Sequence, residues 1–299
     1  MSDAPAVSVV LPVFNEVTHL TDEIERIRRS LDTSAYTYEI VVVDDGSTDG
    51  STELLRTIDG IRLIAFAENR GSGTARRIGT EATRGNVVVW TDVDMTYPND
   101  DIPQLVKELE GYDQVVGART SEEGTAKFIR VPVKWFIRKL ASYLAATKIP
   151  DLNSGFRAFR RDVALQFVNM LPKGFSCVTT MTMSFLANGY SVKYVPISYV
   201  QRAGESKFHW LRDTQQYLIQ VVRLVMSYDP LRVFIPLGVA LVLLGTGKLV
   251  FDFVVHPWQV AASTLLIFFA GFQTFAIGLI ADLVVRLHRR AHDVTPASL

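Results

Sequence analysis

Two apolar stretches near the end of the chain, Val233 to Val255 and Trp258 to Val285, constrain its fold more than any other feature. Each is long enough for a helix to cross a bilayer core, which takes about 20 residues. Only His256 and Pro257 separate them, so the pair reads as a tight transmembrane hairpin. Two buried core helices are the alternative, but helices this long with so few charges are unusual in soluble folds. Arg223 and Arg232 precede the hairpin, Arg286, Arg289 and Arg290 follow it, and its turn carries no Lys or Arg. By the positive-inside rule both termini and everything N-terminal to the hairpin face the cytoplasm. The first apolar run, Val7 to Val13, contains Ser8 and Pro12 and lacks a basic leader, so it does not read as a signal peptide.

Within the hairpin, Lys248 and Asp252 share a helix face and are placed to pair or to snorkel together, Asp282 lies near the end of the second span, and Gln273 is deeper. Charges so close to the span ends read as anchors rather than as an ion pathway. Ahead of the hairpin, residues 211–232 include Leu211, Leu218, Val221, Val222, Val225 and Tyr228 along one side, with Arg212, Gln216, Gln220 and Arg223 elsewhere. That spacing suits an amphipathic helix at the membrane surface, with Trp210 as interfacial anchor, or equally a core-facing helix.

Residues 1–210 mix charged and apolar residues as soluble domains do. Strand candidates Ser8–Val13, Glu39–Asp44, Ile61–Ala65 and Val87–Asp92 alternate with helix candidates Val17–Leu31, Ser51–Ile58 and Ser72–Ala82. This is the rhythm of a doubly wound, Rossmann-like α/β fold, in which ligands bind beyond the carboxyl ends of the strands. The chain of 299 residues therefore divides into an α/β domain (1–210), a juxtamembrane helix (211–232) and a hairpin with a basic tail (233–299). Formal net charge is zero, which gives no bulk electrostatic case for nucleic acid as a partner. Cys177 is the only cysteine, so no disulfide can form within the chain.

Polar residues gather where that fold puts ligands: Pro12, Asn15 and Glu16 after the first strand, Asp44-Asp45-Gly46-Ser47 after the second, Asp92-Val93-Asp94 after the fourth. In extended backbone Asp92 and Asp94 point the same way. Mg²⁺ or Mn²⁺ is commonly held by one or two carboxylates plus substrate phosphates, so the pair suits a metal-bound diphosphate. Turn formation is the plainer reading of Asp-Asp-Gly-Ser taken alone. Gly71-Ser72-Gly73 reads better as a helix entry than as a phosphate cradle.

The runs Leu11-Pro12-Val13-Phe14-Asn15-Glu16, Val42-Val43-Asp44-Asp45-Gly46-Ser47-Thr48-Asp49, Asn69-Arg70-Gly71, Asp92-Val93-Asp94 and Asn153-Ser154-Gly155-Phe156-Arg157, in that order, resemble the inverting family 2 glycosyltransferases with a GT-A fold. Val195-Pro196-Ile197-Ser198-Tyr199, Arg202, Gly204, Ser206-Lys207-Phe208 and Asp229-Pro230-Leu231-Arg232-Val233 narrow the likeness to the polyisoprenyl-phosphate glycosyltransferases. That branch includes dolichyl-phosphate mannose synthases and bacterial undecaprenyl-phosphate glucosyltransferases, and two terminal spans favour the bacterial type.

The resemblance implies that Pro12, Asn15, Glu16, Asp44 and Asp45 line the nucleotide pocket, that Asp92 binds the donor and that Asp94 holds Mg²⁺ or Mn²⁺ on its diphosphate. Val116-Gly117-Ala118-Arg119 and Arg138-Lys139-Leu140-Ala141-Ser142 match segments that bind the acceptor phosphate in mannose synthases. Arg119, Arg138 and Ser142 are therefore expected at the lipid phosphate. For Arg138 a basic face with Lys127, Arg130, Lys134 and Lys139 toward anionic lipid is the alternative. Arg202 and Lys207, with Arg157, are expected near the diphosphates or on a closing loop.

Where these relatives often carry Gln two positions after the triplet, this chain has Thr96, so water or the Thr96 hydroxyl would complete the metal shell. The expectation is a metal-dependent hexosyltransferase of the inner membrane using a nucleotide sugar and a polyisoprenyl phosphate. UDP-glucose is the first donor, GDP-mannose the alternative, and homo-oligomerisation is left open. A processive polysaccharide synthase would need a Gln-x-x-Arg-Trp run and more spans; an inactive sugar-nucleotide-binding scaffold would be expected to lack the acids or arginines.

Overall fold

Alternation of side chains along the strands sorts the N-terminal residues into two apolar layers. Val7, Val9, Leu11 and Val13 of strand β1 (Val7–Val13) join one core with Ile40 and Val42 of β2 (Tyr38–Asp44), while Val10, Val41 and Val43 join the other. A strand buried on both faces reads as a continuous apolar run, as these do, and needs helices on both sides. The computed structural model describes residues 4–119, 149–174, 176–200, 222, 226, 229–256 and 259–293, with side chains to 287.

Helix α1 (Leu20–Asp32) buries Leu20, Ile24, Ile27 and Leu31 at helical spacing against the first layer. Helices α2 (Ser51–Arg56) and α4 (Ile102–Lys107) contribute Leu55 and Ile102, Leu105 and Val106 to it. The second layer receives Ala75 of α3 (Ser72–Ala82), Val163 and Ala164 of α5 (Arg161–Ala164), and Cys177, Val178, Met181 and Phe185 of α6 (Cys177–Ala187).

Between the layers lies a seven-stranded sheet in the order β3-β2-β1-β4-β6-β5-β7, with β3 Ile61–Ala65, β4 Val87–Trp90, β5 Gln114–Arg119, β6 Arg157–Arg160 and β7 Val192–Ile197. Strands β1 to β4 pair in parallel, as do β5 and β7; β6 runs antiparallel to both β4 and β5. The sheet is thus mixed, and the reversal at β6 is what lets the Asn153–Phe156 segment approach the end of β4.

Arg157 departs from expectation. It is wholly buried in β6, where Trp90 is its partner in register. Its guanidinium donates to the Val178 carbonyl (2.6 Å), the Thr182 hydroxyl (2.9 Å) and the Ser154 carbonyl, riveting β6 to α6. These partners are neutral, and burial brings its pKa down to about 10. Arg157 therefore braces the interior and does not sit on a closing loop.

The chain separates into two units, Met1–Gln220 and Val221–Leu299. In the second, α7 (Leu231–Val255) and α8 (Ala262–Asp293) form an α-hairpin. Leu231–Val255 and Ala262–Leu287 are long and apolar enough to cross a membrane. Close approach is permitted by glycine: a Cβ on Gly238 would lie 2.7 Å from the Phe275 ring, and one on Gly278 2.6 Å from Phe234 Cβ.

The turn is longer than His256-Pro257, because α8 starts only at Ala262. Asp252 explains the boundary. Its carboxylate takes Lys248 Nζ at 2.9 Å and also accepts the Ala261 amide (3.2 Å) and the Thr264 hydroxyl, capping α8 from the preceding helix. Asp282 pairs with Arg286 at 2.7 Å. Most of the surface-helix candidate at 211–232 lies outside the described residues.

Helix α3 fits the sheet through Gly79, where a Cβ would stand 2.4 Å from Val10 Cγ1 and 3.1 Å from Val43 Cγ2. Gly79→Ala is expected to destabilise the N-terminal unit by about 1–3 kcal/mol through overpacking. Gly247→Ala, where nothing lies within 4 Å, is expected to leave the urea midpoint in detergent unchanged or slightly raised.

Candidate active site

Register places the ends of β1 and β2 side by side, Val13 opposite Asp44, and the two following loops are laced together. The Asn15 amide donates to Ser47 Oγ (3.0 Å), the Thr48 amide to Asn15 Oδ1 (2.8 Å), and the Glu16 amide to Ser51 Oγ (3.2 Å). Asn15 takes a left-handed backbone, φ 56°, a conformation Asn tolerates better than most residues. Pro12, within β1, is half-buried.

Asp44 and Asp45 are turned inward. One oxygen of Asp44 accepts the Ser47 amide (3.1 Å) and hydroxyl (2.6 Å), and the other accepts the Thr52 hydroxyl. Asp45 accepts the Arg70 and Gly71 amides at 2.7 and 2.9 Å, joining the β2 loop to the entry of α3. Burial, with a smaller push from Asp44, raises the Asp45 carboxyl above its usual range against the pull of those two amides. Gly46 (φ 74°) is needed there, since a Cβ would meet the Glu68 carbonyl carbon at 2.5 Å. Asp44, expected to line the nucleotide pocket, is thus a buried carboxylate engaged by its own loop.

β4 stops at Trp90, two residues short of the expected end. Beyond it Thr91 and Val93 are buried while Asp92 and Asp94 are half-buried, so both acids stand on the outward side. Asn99 fixes the segment by accepting from Thr91 Oγ1 (2.5 Å) and donating to the Asp92 carbonyl (3.2 Å) and to Glu23. Asp92 Oδ1 is held by Arg76 Nη2 at 2.5 Å. Asp94 Oδ1 accepts the Thr96 hydroxyl (2.6 Å) and amide (3.3 Å) across Met95, whose φ is 62°. Thr96 therefore orients Asp94 through its hydroxyl.

The third wall is the segment from Asp151 to Phe156. The Gly155 amide donates to the Tyr97 hydroxyl at 2.7 Å, and the Tyr97 and Phe156 rings stack with centroids 5.8 Å apart. Burial, and then Asp92, pushes the Tyr97 phenol upward, keeping it protonated. A Cβ on Gly155 would lie 3.0 Å from Asp92 Oδ2 and 3.2 Å from Arg76 Nη2, so the backbone is in contact with the ion pair.

Arg119, at the end of β5, meets Asp151 in a two-pronged pair, Nε to Oδ2 at 2.7 Å and Nη2 to Oδ1 at 2.9 Å, under the Tyr199 ring. Burial opposes both charges. The pair outweighs it, holding Asp151 below the usual carboxylate range and Arg119 above the usual guanidinium one. Arg119 thus has an internal anion that the sequence does not announce, 32 positions away. Arg138, Ser142, Arg202 and Lys207 lie outside the described residues.

Asp92 and Asp94 supply hard oxygen donors of the kind Mg²⁺ or Mn²⁺ takes. Among the described residues no group of three His, Cys, Asp or Glu side chains is placed to hold a metal. The donor set fits a cation completed by phosphate oxygens and water, and Asp94 and Asp92 would be its protein side. Nothing in the sequence singles out Arg76 or Asn99. Arg76 lies beside a second arginine on an amphipathic helix, where pattern gives no hint which of the two turns inward.

Residues 8–167 match glycosyl transferase family 2, and residues 229–287 match the GtrB C-terminal hairpin. The chain belongs to glycosyltransferase family 2. It is 29% identical over 304 residues to the undecaprenyl-phosphate 4-deoxy-4-formamido-L-arabinose transferase of Pseudomonas fluorescens, covering 94% of this chain and 85% of that protein. To the Aeromonas hydrophila protein of the same name it is 30% identical over 217 residues, covering 69% of this chain and 64% of that one. The fold is similar to glucosyl-3-phosphoglycerate synthase of Mycobacterium tuberculosis, solved with Mn²⁺, UDP-glucose and phosphoglyceric acid. The TM-score is 0.57 at 22% identity, covering 75% of this chain and 79% of that one.

A carboxyl whose folded pKa is depressed contributes stability above its unfolded value, about 3.9 for Asp, and loses it as pH falls through the folded value. Asp151→Asn should therefore cost about 3 kcal/mol near pH 7, where Arg119 is left largely buried without its partner. The gap to the unchanged protein should close as pH falls below about 4, measured by urea unfolding in detergent from pH 3 to 7.

Proposed function

We propose that this glycosyltransferase moves a hexose, glucose in the first instance, from a nucleotide diphosphate sugar to a polyisoprenyl phosphate at the cytoplasmic face of the inner membrane. The reading rests above all on the outward Asp92–Asp94 pair at the carboxyl end of a parallel strand, in a chain that also carries a membrane-length hairpin. The names of the relatives supply the acceptor class, since they transfer a sugar to undecaprenyl phosphate. The hairpin would keep the enzyme where that lipid is.

Asp94, set by Thr96, would hold Mg²⁺ or Mn²⁺ on the donor diphosphate, with Asp92 beside it. When bound, the metal would offset the negative charge that grows on the leaving diphosphate. Pro12, Asn15 and Glu16 would line the nucleotide pocket, with Asp44 and Asp45 acting by shaping its loop. A phosphate monoester with second pKa about 6 arrives mostly as a dianion and attacks without a general base. Its oxygen forms the new bond to the sugar's anomeric carbon, and the nucleoside diphosphate leaves with the electron pair of the old one, inverting the centre.

Cations must hold the two anionic substrates together. Arg138 and Ser142 would take the lipid phosphate, joined by the N–H groups of Arg119 not directed at Asp151; Arg202 and Lys207 would serve the diphosphate. Arg138→Ala is expected to raise the KM for polyprenyl phosphate tenfold or more with little change in nucleotide affinity. Equal losses in both assays would remove it from the acceptor site.

The decisive experiment incubates membranes containing the protein with polyprenyl phosphate and a panel of labelled nucleotide sugars, scoring label that enters organic solvent. Label from UDP-glucose is expected, with EDTA or Asp94→Asn lowering it about 10²-fold or more. Label from GDP-mannose instead would change the sugar. No label from any donor, or near-normal transfer by Asp94→Asn with EDTA present, would overturn the reading.

A further inference from the structure

Arg76 is a buried cation in a domain that has cheaper ways to fill its space. Only 3% of its side chain is exposed, and its guanidinium lies 5.7 Å from the centre of the Trp90 ring. A Met or Leu would cover Trp90 without desolvating a charge, and buried ion pairs seldom stabilise a fold more than well-packed apolar residues do. Burial works against its charge, yet Asp92, with smaller help from Cys177 and Tyr97, carries its pKa above the ordinary guanidinium value.

Its surroundings fix it from three directions. The Gly73 amide donates to the Lys173 carbonyl at 2.7 Å, and a Cβ on Gly73 would collide with the Pro172 carbonyl oxygen, which locks the first turn of α3. Thr80 Oγ1 donates to the Arg76 carbonyl (2.7 Å) and accepts from Trp90 Nε1 (2.9 Å), tying the middle of α3 to the last residue of β4. Gly155 closes the far side of the Arg76–Asp92 contact. The backbone that carries Arg76 is thus tied to its neighbours, and the contact is made to a member of the acidic triplet.

We infer that Arg76 is a positioning residue of the donor site: it holds the Asp92 carboxylate in place beside Asp94 and offsets one of the two negative charges, so that a divalent cation is taken together with its nucleotide rather than alone. Two carboxylates without a counter-charge attract a bare cation and repel a diphosphate. Arg76 lowers the site's negative charge by one through Asp92, which favours the cation–diphosphate complex over the bare cation. The inference rests on the proposed use of a nucleotide sugar with a divalent metal, and it assigns Arg76 no contact with the reacting atoms.

The test measures Mn²⁺ binding by the free Mn(II) EPR signal, with Mn²⁺ alone and with UDP or GDP added, on the full chain in detergent. Arg76→Met should cut the nucleotide-dependent gain in Mn²⁺ affinity tenfold or more while binding of Mn²⁺ alone does not weaken. In turnover, the donor KM should rise while the polyprenyl phosphate KM stays within twofold. Arg76→Lys should restore part of the gain. Arg77→Met, which removes only the surface pair with Glu81 at 3.2 Å, should behave as the unchanged protein.

Should Arg76→Met not fold, Gly155→Ala moves the same ion pair without removing a charge and should lower the same gain. A folded Arg76→Met that keeps the gain, or that loses both binding modes and both KM values alike, would overturn the inference. If the unchanged protein shows the gain but transfers no sugar, the proposed reaction fails while the Arg76 result still decides the inference. Absence of any gain in the unchanged protein would overturn both.

Discussion

Pairing of β4 is the constraint on which the rest depends. The strand is four residues long, hydrogen-bonded to parallel β1 on one side and antiparallel β6 on the other. Both neighbours satisfy its backbone groups, both faces are covered by apolar layers, and its last residue, Trp90, packs edge-on to Phe159 at 5.1 Å. A strand so confined has one register. Where Asp92 and Asp94 leave the sheet is therefore decided by interior packing, and the bonds of Asn99 and Thr96 then set the loop that carries them.

The reversal at β6 has a second consequence. Because β6 runs against its neighbours, the segment entering it arrives at the end from which the β4 loop departs, and Phe156 and Gly155 are brought against Tyr97 and Asp92. Arg157 secures that entry from below with bonds to α6, and Arg119 secures Asp151 at its start. Two arginines, Arg157 wholly and Arg119 largely buried, thus brace the two ends of one short segment that walls the site. Neither stabilises much by charge alone, since each loses solvation on burial; what they supply is placement.

Much of this was legible. β3 and α3 have the bounds that composition and turn signals suggest, and the clustering of acids at strand ends follows from a parallel sheet. Lys248 and Asp252 pair because a helix sets them four apart, a local rule. What could not be read is non-local. Nothing in Arg157-Ala158-Phe159-Arg160 says that it pairs backwards with Val87–Trp90, and an arginine at the first position argues against a core strand on composition alone. The Arg119–Asp151 and Arg76–Asp92 pairs join residues 32 and 16 positions apart on different elements. The capture of Ala261 and Thr264 by Asp252 lengthened a turn that looked two residues long.

Viewed by charge, the site's acids share a pattern. Asp44 is held by hydroxyls and an amide, Asp45 by two amides, Asp92 by Arg76, Asp94 by Thr96 and Asp151 by Arg119. These carboxylates are therefore oriented before any substrate arrives. For a reaction between two anions this matters, because orienting dipoles and charges in advance removes reorganisation from the transition state. The proposed transfer asks its acids for direction and its arginines for charge. A chain of zero net charge can meet that demand only by local arrangement, which is why pairings across the fold, rather than composition, carry the chemistry.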